Sequence, residues 1–167
     1  YIVNKFAQEQ FSEDVWELPE GIAIGLSYFR ERGFSDETIR FFGLGYAANQ
    51  IDYFFKTSTK AGYLEKNIYD TGFVIKNERG KVDRFRGRVM FPIRSMAGRV
   101  QGFGGRILSS TSKIAKYLNS PESDIYHKSQ ILYGIFEAKK AIAKEDICYL
   151  VEGYTDVIPV SYTHLTL

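Results

Sequence analysis

The sequence predicts an α+β fold: a helical N-terminal region, a small and mostly antiparallel sheet, and then the first strand and helix of an α/β unit. Three observations support this prediction. Apolar residues recur at helical spacing in the first third of the chain, whereas the centre alternates with a period of two between turn residues. Near the end, an apolar run precedes an acid and a second amphipathic stretch, as at the strand-to-helix junction of α/β folds.

Three helices are expected in the first third of the chain. Apolar side chains from Val3 to Phe11 follow helical spacing. Pro19 is well placed to open a second helix over Ile22–Arg32, because proline suits the first turn of a helix. Ser35 is a good N-terminal cap for a third helix over Asp36–Phe42, whose first turn is acidic. Glycines follow the second and third helices and are expected to end them.

The centre of the chain is expected to form strands. Phe73–Asn77 and Lys81–Phe85 flank a turn at Glu78–Gly80 and predict a hairpin. Arg88–Ile93 alternates apolar side chains onto one face, and its proline favours an edge position or a bulge. Val100–Arg106 carries three glycines, which would let another backbone or a phosphate approach closely. The sequence thus indicates a sheet with one unusually open strand.

The last third is expected to contain a loop, a helix and a buried strand. The polar stretch 108–129 is irregular in composition, and Gln130–Lys144 follows helical spacing. The apolar run Ile147–Val151, which holds Cys148, is typical of a buried strand, so the thiol is expected to be buried. These features favour a division into an N-terminal part, residues 1–129, and a second part, residues 130–167.

Composition excludes several classes of protein. With 44% hydrophobic residues the chain can form a core, and most of its 16% aromatic residues are expected to fill it. One cysteine permits neither an internal disulfide nor a zinc cluster. Neither an apolar stretch long enough to cross a membrane nor a signal peptide is present, so we expect a cytoplasmic protein without a membrane partner. Because the chain begins at Tyr1, we expect it to be a piece of a longer protein.

Charge is distributed unevenly along the chain. Residues 56–128 hold 15 Lys and Arg against 6 Asp and Glu, a net charge of +9, while the whole chain carries +2. Clustered cations attract phosphate backbones. The pattern therefore allows a nucleic-acid-binding surface, although a solvated surface with scattered charges has the same composition.

Glu152 and Asp156 are the candidate metal ligands and catalytic residues. Glu152 follows the predicted strand and precedes a predicted helix, and ligands gather at such strand ends in open α/β sheets. Carboxylate oxygens are the ligands that Mg²⁺ prefers. A solvent-facing acid, or an acid favoured by the helix dipole, would give the same pattern. Two carboxylates alone do not complete a two-metal site.

Two groups of residues are candidates for binding phosphate. Arg84, Arg86 and Arg88 alternate, so in an extended strand they would project from one face, where guanidinium groups suit phosphate oxygens. A solvated strand face is the alternative. Lys116, Asn119, His127 and Lys128 lie in or near the polar stretch, where loops commonly hold binding groups; His127 is expected to be a surface histidine.

Six strings of the sequence are distinctive: RFRGRVMFPI (84–93), GRVQGFGGR (98–106), KYLNSPE (116–122), YHK (126–128), LYG (132–134) and VEGYTDV (151–157).

Together these strings resemble bacterial replicative DNA primases, a family whose catalytic core contains a TOPRIM domain. The resemblance extends over nearly the whole chain, in order. It implies that residues 130–167 begin the TOPRIM domain and that Glu152, with Asp156 close by, is its catalytic acid. It also implies that Lys116, Asn119 and Lys128 face the active-site cleft and that Arg84, Arg86, Arg88 and Arg106 line a basic groove. The implied ligand of Glu152 is Mg²⁺ or Mn²⁺.

The implied reaction is the synthesis of RNA primers from nucleoside triphosphates on a single-stranded DNA template, in cooperation with a replicative helicase that contacts other regions. The chain departs from the family pattern: it has no zinc-binding domain, no aspartate-rich TOPRIM motif, Thr155 where Met is usual, and an atypical tail after Pro159. We therefore expect this chain alone to be inactive. The alternatives are a non-catalytic module that binds single strands and another TOPRIM enzyme, such as a topoisomerase or nuclease.

Overall fold

The structure of the protein is a computed structural model that describes residues 1–78, 80–108 and 115–165, of which 160–165 are described as helix backbone only. The helices are α1 (Ile2–Glu17), a π-helix (Gly21–Leu26) continued by α2 (Ser27–Glu31), α3 (Asp36–Phe42), α4 (Tyr53–Lys60), α5 (Glu65–Asp70), a 3-10 turn (Lys128–Gln130), α6 (Ile135–Glu145) and α7 (Tyr154–Leu165). The strands are β1 (Gly45–Ala47), β2 (Val74–Asn77), β3 (Gly80–Asp83), β4 (Arg88–Arg94), β5 (Val100–Ile107) and β6 (Tyr117–Asn119).

The predicted α+β class is confirmed, and so are the three N-terminal helices. Ser35 caps α3 as predicted, because its hydroxyl oxygen accepts the backbone N–H of Thr38 at 3.1 Å. Gly43 ends α3 with a φ of 62°, a conformation that favours glycine. The second helix differs from the prediction because it begins as a π-helix. Its Gly21 lies so close to α1 that a Cβ there would be 2.0 Å from the carbonyl oxygen of Asp14.

The main sheet has four strands in the order β1-β4-β5-β6, and every neighbouring pair is antiparallel. Strand β4 is buried on both faces. Met90 packs into a cluster with Phe11 and Phe103, whereas Val89 and Phe91 face a second cluster on the other side of the sheet. Since alternate residues point to opposite faces of a strand, β4 is the layer that separates the two cores.

The predicted hairpin is present as β2 and β3, with Arg79 of its turn outside the described residues. The second strand is shorter than expected, since it ends at Asp83. The Asp83 carboxylate accepts the backbone N–H groups of Phe54 and Phe55 at 2.6 and 3.2 Å, and so caps the start of α4. The chain then turns through residues 84–87 into β4, with Gly87 at a φ of 63°. Asp83 thus fixes where the strand stops.

The glycines of β5 admit rings of the protein itself. A Cβ at Gly104 would lie 2.4 Å from the ring of Tyr154, and one at Gly102 would lie 2.8 Å from Tyr126. The predicted close approach is real, but aromatic side chains make it. The predicted edge position of the strand with Pro92 is wrong, because β4 lies between β1 and β5. The alternative of a bulge agrees with the shift of register between Ile93 and Arg94, and Pro92 lies beyond the end of β1, which pairs only with residues 88–90 of β4.

The polar stretch 108–129 is more ordered than its composition indicates. Strand β6 lies within it and pairs with residues 104–106 of β5. A bridge between Ser123 and Tyr126 closes a turn further on. Residues 109–114 lie outside the described residues. A short part of the predicted loop, around residues 117–119, therefore forms the edge of the main sheet.

The predicted strand over Ile147–Val151 is wrong. Between α6 and α7 the chain has no strand partner in the part of the protein that the structure describes, and Leu150 is 78% exposed. Cys148 is exposed as well, contrary to the prediction. A run of apolar residues indicates a tendency to be buried, but a strand also needs a neighbouring backbone to bond. The helix that follows continues through Pro159.

Candidate active site

A cavity of about 820 Å³ lies where β6, the turn before α6, the segment 147–151 and the start of α7 meet. Its walls are largely apolar residues of α6 and of the segment 147–151. Polar side chains from distant parts of the sequence reach it, which is the usual composition of a ligand site. The predicted site residues among those that line it are Asn119, Lys128, Glu152 and Asp156.

Glu152 and Asp156 are both exposed at the cavity, on either side of the first residues of α7. The carbonyl oxygen of Gly153 accepts the backbone N–H groups of Asp156 and Val157 at 3.0 and 3.2 Å, which starts the helix. An Oδ2 atom of Asp156 lies 2.6 Å from the point that a Cβ of Gly153 would occupy. Glycine at this position therefore lets the Asp156 carboxylate fold back over the backbone of residue 153.

Tyr154 connects the two halves of the site, and the sequence analysis gave it no role. Its hydroxyl donates to Oδ1 of Asn119 at 2.8 Å. Its ring stacks on Phe91, with centroids 5.1 Å apart, and meets Tyr133 edge-on at 4.8 Å. Burial raises the pKa of Tyr154, so the hydroxyl remains a donor. This hydrogen bond holds the amide of Asn119 at the cavity wall. The sequence signal that could have revealed the role of Tyr154 is Gly104, because glycine at that position leaves room for the ring.

Lys128 and Lys116 are exposed cations on the two sides of the polar turn. Lys128 follows the bridge of residues 123–126 and lines the cavity, whereas Lys116 directly precedes β6. An exposed ammonium group is a compact point charge on a flexible stem and is accessible to a phosphate. The structure thus brings Lys128 into the cavity with the acids, while Lys116 lies outside its walls.

Arg106 on β5 is held by two tyrosines. Its Nη1 donates to the hydroxyl groups of Tyr28 and Tyr117, at 2.7 and 3.0 Å, and its guanidinium lies over both rings. Burial raises the pKa of Tyr28, the charge of Arg106 opposes this shift, and the charge of Asp156 adds to it. The ring of Tyr117 lies 6.3 Å from that of Tyr154, so Arg106 adjoins the start of α7 through Tyr117.

The prediction that Arg84, Arg86 and Arg88 project from one face of a strand is wrong. Residues 84–87 form a turn, and only Arg88 belongs to β4. Arg84 and Arg86 are half-buried, and the charge of Arg86 acts on the buried carboxylate of Asp83. Alternation along a sequence gives a common face only where the chain is extended, and the turn at Gly87 breaks that condition.

Arg88 has an internal role. Its side chain is 3% exposed, and its guanidinium donates to the carbonyl oxygens of Gly105, Ala115 and Lys116 at 3.3, 3.0 and 3.2 Å. Burial lowers the pKa of Arg88, and the charge of Arg84 lowers it further. The fork of donors on arginine suits several acceptors at once. Arg88 therefore fastens the backbone at Lys116 to the sheet.

Within the described residues, no group of three or more His, Cys, Asp and Glu side chains is arranged to hold a metal ion. Glu152 and Asp156 supply two of the three carboxylates that the described residues place at the cavity, and Glu145 at the end of α6 is the third. These carboxylates suit a hard cation but do not complete its usual set of oxygen ligands.

No described helix is long and apolar enough to cross a membrane.

Comparison with known proteins places this geometry in a family. Residues 14–139 match the family described as the DNA primase catalytic core, N-terminal domain. The chain belongs to this family, so the resemblance found in the sequence is confirmed and the topoisomerase or nuclease alternative is wrong. The DNA primase of Streptomyces coelicolor is 41% identical over 155 residues, which are 93% of this chain and 24% of the relative. The chain thus spans about a quarter of that relative.

Solved structures agree with this assignment. The RNA polymerase domain of the Mycobacterium tuberculosis primase DnaG superposes with a TM-score of 0.91 at 34% identity, over 99% of this chain and 53% of the other. A DnaG primase catalytic domain bound to single-stranded DNA matches with a TM-score of 0.78 at 36% identity, over 98% of this chain and 52% of the other. The fold of this chain is therefore that of the N-terminal part of such cores.

Proposed function

We propose that this chain is the N-terminal part of a primase core that synthesises short RNA primers on single-stranded DNA. One observation carries the proposal: the cavity gathers Asn119, Lys128, Glu152 and Asp156 from separate parts of the sequence. An amide and a cation can contact phosphate and sugar, and carboxylates are the ligands that a divalent cation prefers. The relative bound to single-stranded DNA supports a template of the same kind.

Binding and orientation are the tasks of the chain's own residues. In the proposed reaction, a primer 3′-hydroxyl attacks the α-phosphate of a nucleoside triphosphate and releases pyrophosphate. Lys128 neutralises a phosphate oxygen, and Asn119, held by Tyr154, bonds the phosphate or sugar. Holding both reactants at a fixed separation removes much of the entropic barrier. The aromatic wall formed by Tyr154 and Tyr133 keeps bulk water from that side of the cavity.

Arg84, Arg86, Arg106 and Lys116 remain our proposed contacts to the template backbone. Arg106 is supported by its place beside the start of α7, and Lys116 by its exposure before β6. Arg88 is proposed to act as a structural residue instead of a template contact, because its buried guanidinium donates to the carbonyl oxygen of Lys116 and so holds the backbone there.

Glu152, with Asp156, would hold a divalent cation, Mg²⁺ or Mn²⁺. Such a cation stabilises the negative charge on the attacking and leaving oxygens. Because no three metal-ligating side chains of the described residues lie together as a metal site, we expect the 167-residue chain alone to make no primers. Further acids of the full-length primase would complete the site.

We also retain the division into residues 1–129, which would face the nucleic acid, and 130–167, which would begin the TOPRIM domain. The two parts would share an interface, since Ile158 of α7 packs into the core cluster of Phe29 and Phe91. We further propose that the protein acts in the cytoplasm. A replicative helicase would bind regions of the primase beyond this chain.

Glu152→Gln in the full-length primase that contains this chain tests the proposal. Glutamine keeps the shape and removes the charge, so we expect primer synthesis to fall by about a thousandfold or more, because an electrostatic group at the reacting atoms is lost. Single-stranded DNA binding should stay within twofold. Glu37→Gln, an exposed acid on α3, is the control and should change neither. Unimpaired synthesis by Glu152→Gln would refute the role of this cavity.

A further inference from the structure

The turn that carries Lys128 is closed by one carboxylate, that of Glu122. Its Oε1 accepts the backbone N–H of Lys128 at 3.0 Å, and its Oε2 lies 3.2 Å from Nδ1 of His127. The carboxylate thus spans the polypeptide from residue 122 to residue 128. Hydrogen bonds to charged acceptors are stronger than neutral ones, so this bond fixes the backbone from which the Lys128 side chain starts.

The rest of the turn is fastened to the sheet. Ser123 and Tyr126 exchange both backbone hydrogen bonds, at 3.0 and 3.2 Å, and the ring of Tyr126 packs over Gly102. Nε2 of Gln101 donates to the carbonyl oxygen of Ile125 at 2.7 Å. Residues 123–126 are therefore held by contacts that do not involve Glu122, whereas His127 and Lys128 are exposed. Glu122 therefore fixes the path of the backbone from this turn to Lys128 at the cavity.

We propose that Glu122 is a positioning residue, which holds the backbone of Lys128 so that its ammonium group faces the phosphate of a bound nucleotide or template. This inference rests on the proposed role of Lys128. Glu122 itself carries a negative charge near a site for polyanions, so as a simple charge it opposes binding. The effect of Glu122 as a charge and its effect as a positioning group on anion affinity therefore have opposite signs. Removing a mere charge strengthens anion binding, whereas removing a positioning group weakens it.

Amide hydrogen exchange of the 167-residue chain tests the positioning without any ligand. In Glu122→Ala, the Lys128 amide should exchange about fivefold faster, the change expected for the loss of one hydrogen bond to a charged acceptor. Glu122→Gln keeps an acceptor oxygen, so it should stay within twofold of the wild-type rate. Asp124→Ala removes an exposed acid of the same turn and is the matched control. Unchanged exchange in Glu122→Ala would overturn the proposal.

Affinity for a fluorescent oligothymidylate of about 16 nucleotides, a length within the range of single-strand sites, supplies the second measurement. Glu122→Ala should weaken binding about three- to tenfold, while Asp124→Ala and Glu122→Gln should leave it equal or tighter. In a Lys128→Ala background, Glu122→Ala should cause no further loss, because the two residues act as one unit. Tighter binding by Glu122→Ala, or additive losses, would overturn the proposal. If the wild-type chain does not bind the oligonucleotide, the proposed function fails, and exchange alone decides the role of Glu122.

Discussion

Strand β4 and the segment from Lys116 to Lys128 each carry a cation at both ends, yet they use these cations differently. Arg88 and Arg94, at the two ends of β4, are withdrawn from solvent. Arg88 bonds three carbonyl oxygens, and Arg94 pairs with Glu137 of α6. Lys116 and Lys128 are exposed. The same positive charge thus builds the scaffold in one region and is available to a ligand in the other.

The difference follows from the cost of desolvation. A buried cation must regain in hydrogen bonds what it loses in hydration, and the five donors of arginine can do so. An exposed lysine retains its water and can exchange it for a phosphate oxygen. Clustered basic residues in a sequence therefore do not by themselves define a nucleic-acid surface, because burial decides which of them remain accessible.

The largest effect on stability is expected at Arg88. Arg88→Met keeps much of the volume but leaves three carbonyl oxygens without their donor, so the free energy of unfolding should fall by about 2–4 kcal/mol. Urea denaturation of the 167-residue chain measures this change. Arg99→Met, at an exposed position, is the control and should alter stability by less than about 0.5 kcal/mol. Equal losses in both variants would show that burial does not distinguish the two arginines.

A buried acid extends the comparison to negative charge. Burial raises the pKa of Asp14 to about 7; a hydrogen bond from Tyr53 opposes the shift, and the nearby charges of Glu13, Glu20 and Glu17 reinforce it. The folded state therefore holds this proton more tightly than the unfolded state, whose carboxyl titrates near its ordinary value of about 4. Stability is favoured at low pH and is lost as the pH rises from about 4 to 7.

Asp14→Asn should remove this dependence in part. We expect the variant to gain about 1–2 kcal/mol relative to wild type at pH 8 and little at pH 5, because asparagine has no charge to bury. Urea titrations at the two pH values measure the difference. Glu31→Gln, on an exposed acid, should show no pH-dependent change. A gain for Asp14→Asn that is the same at both pH values would contradict the account.

Sequence reasoning succeeded where the cause is local. The cap at Ser35, the αL glycine at position 43 and the helical spacing of α1 depend on neighbours within one or two turns. The distinctive strings of the sequence also identified the family. Three of the conclusions that required long-range contacts failed: the common face of Arg84, Arg86 and Arg88, the burial of Cys148, and the strand over residues 147–151.

The missed residues have the same explanation. Tyr154 and Glu122 act through partners that lie 35 and 6 positions away, and nothing in their own surroundings indicates those bonds. A glycine in the middle of a strand, such as Gly104, is the one local sign that a ring approaches from elsewhere. Local patterns give the elements, whereas the positions of functional side chains depend on how those elements pack.

The most direct test of the difference between the two regions is the salt dependence of single-stranded DNA binding by the 167-residue chain. Lys128→Ala should reduce the slope of log affinity against log salt by about 0.7, the value for one phosphate contact on a single strand. Arg88→Gln removes a charge but keeps amide donors, so its slope should equal that of wild type even if the affinity falls. A reduced slope for Arg88→Gln, with an unchanged slope for Lys128→Ala, would contradict the account.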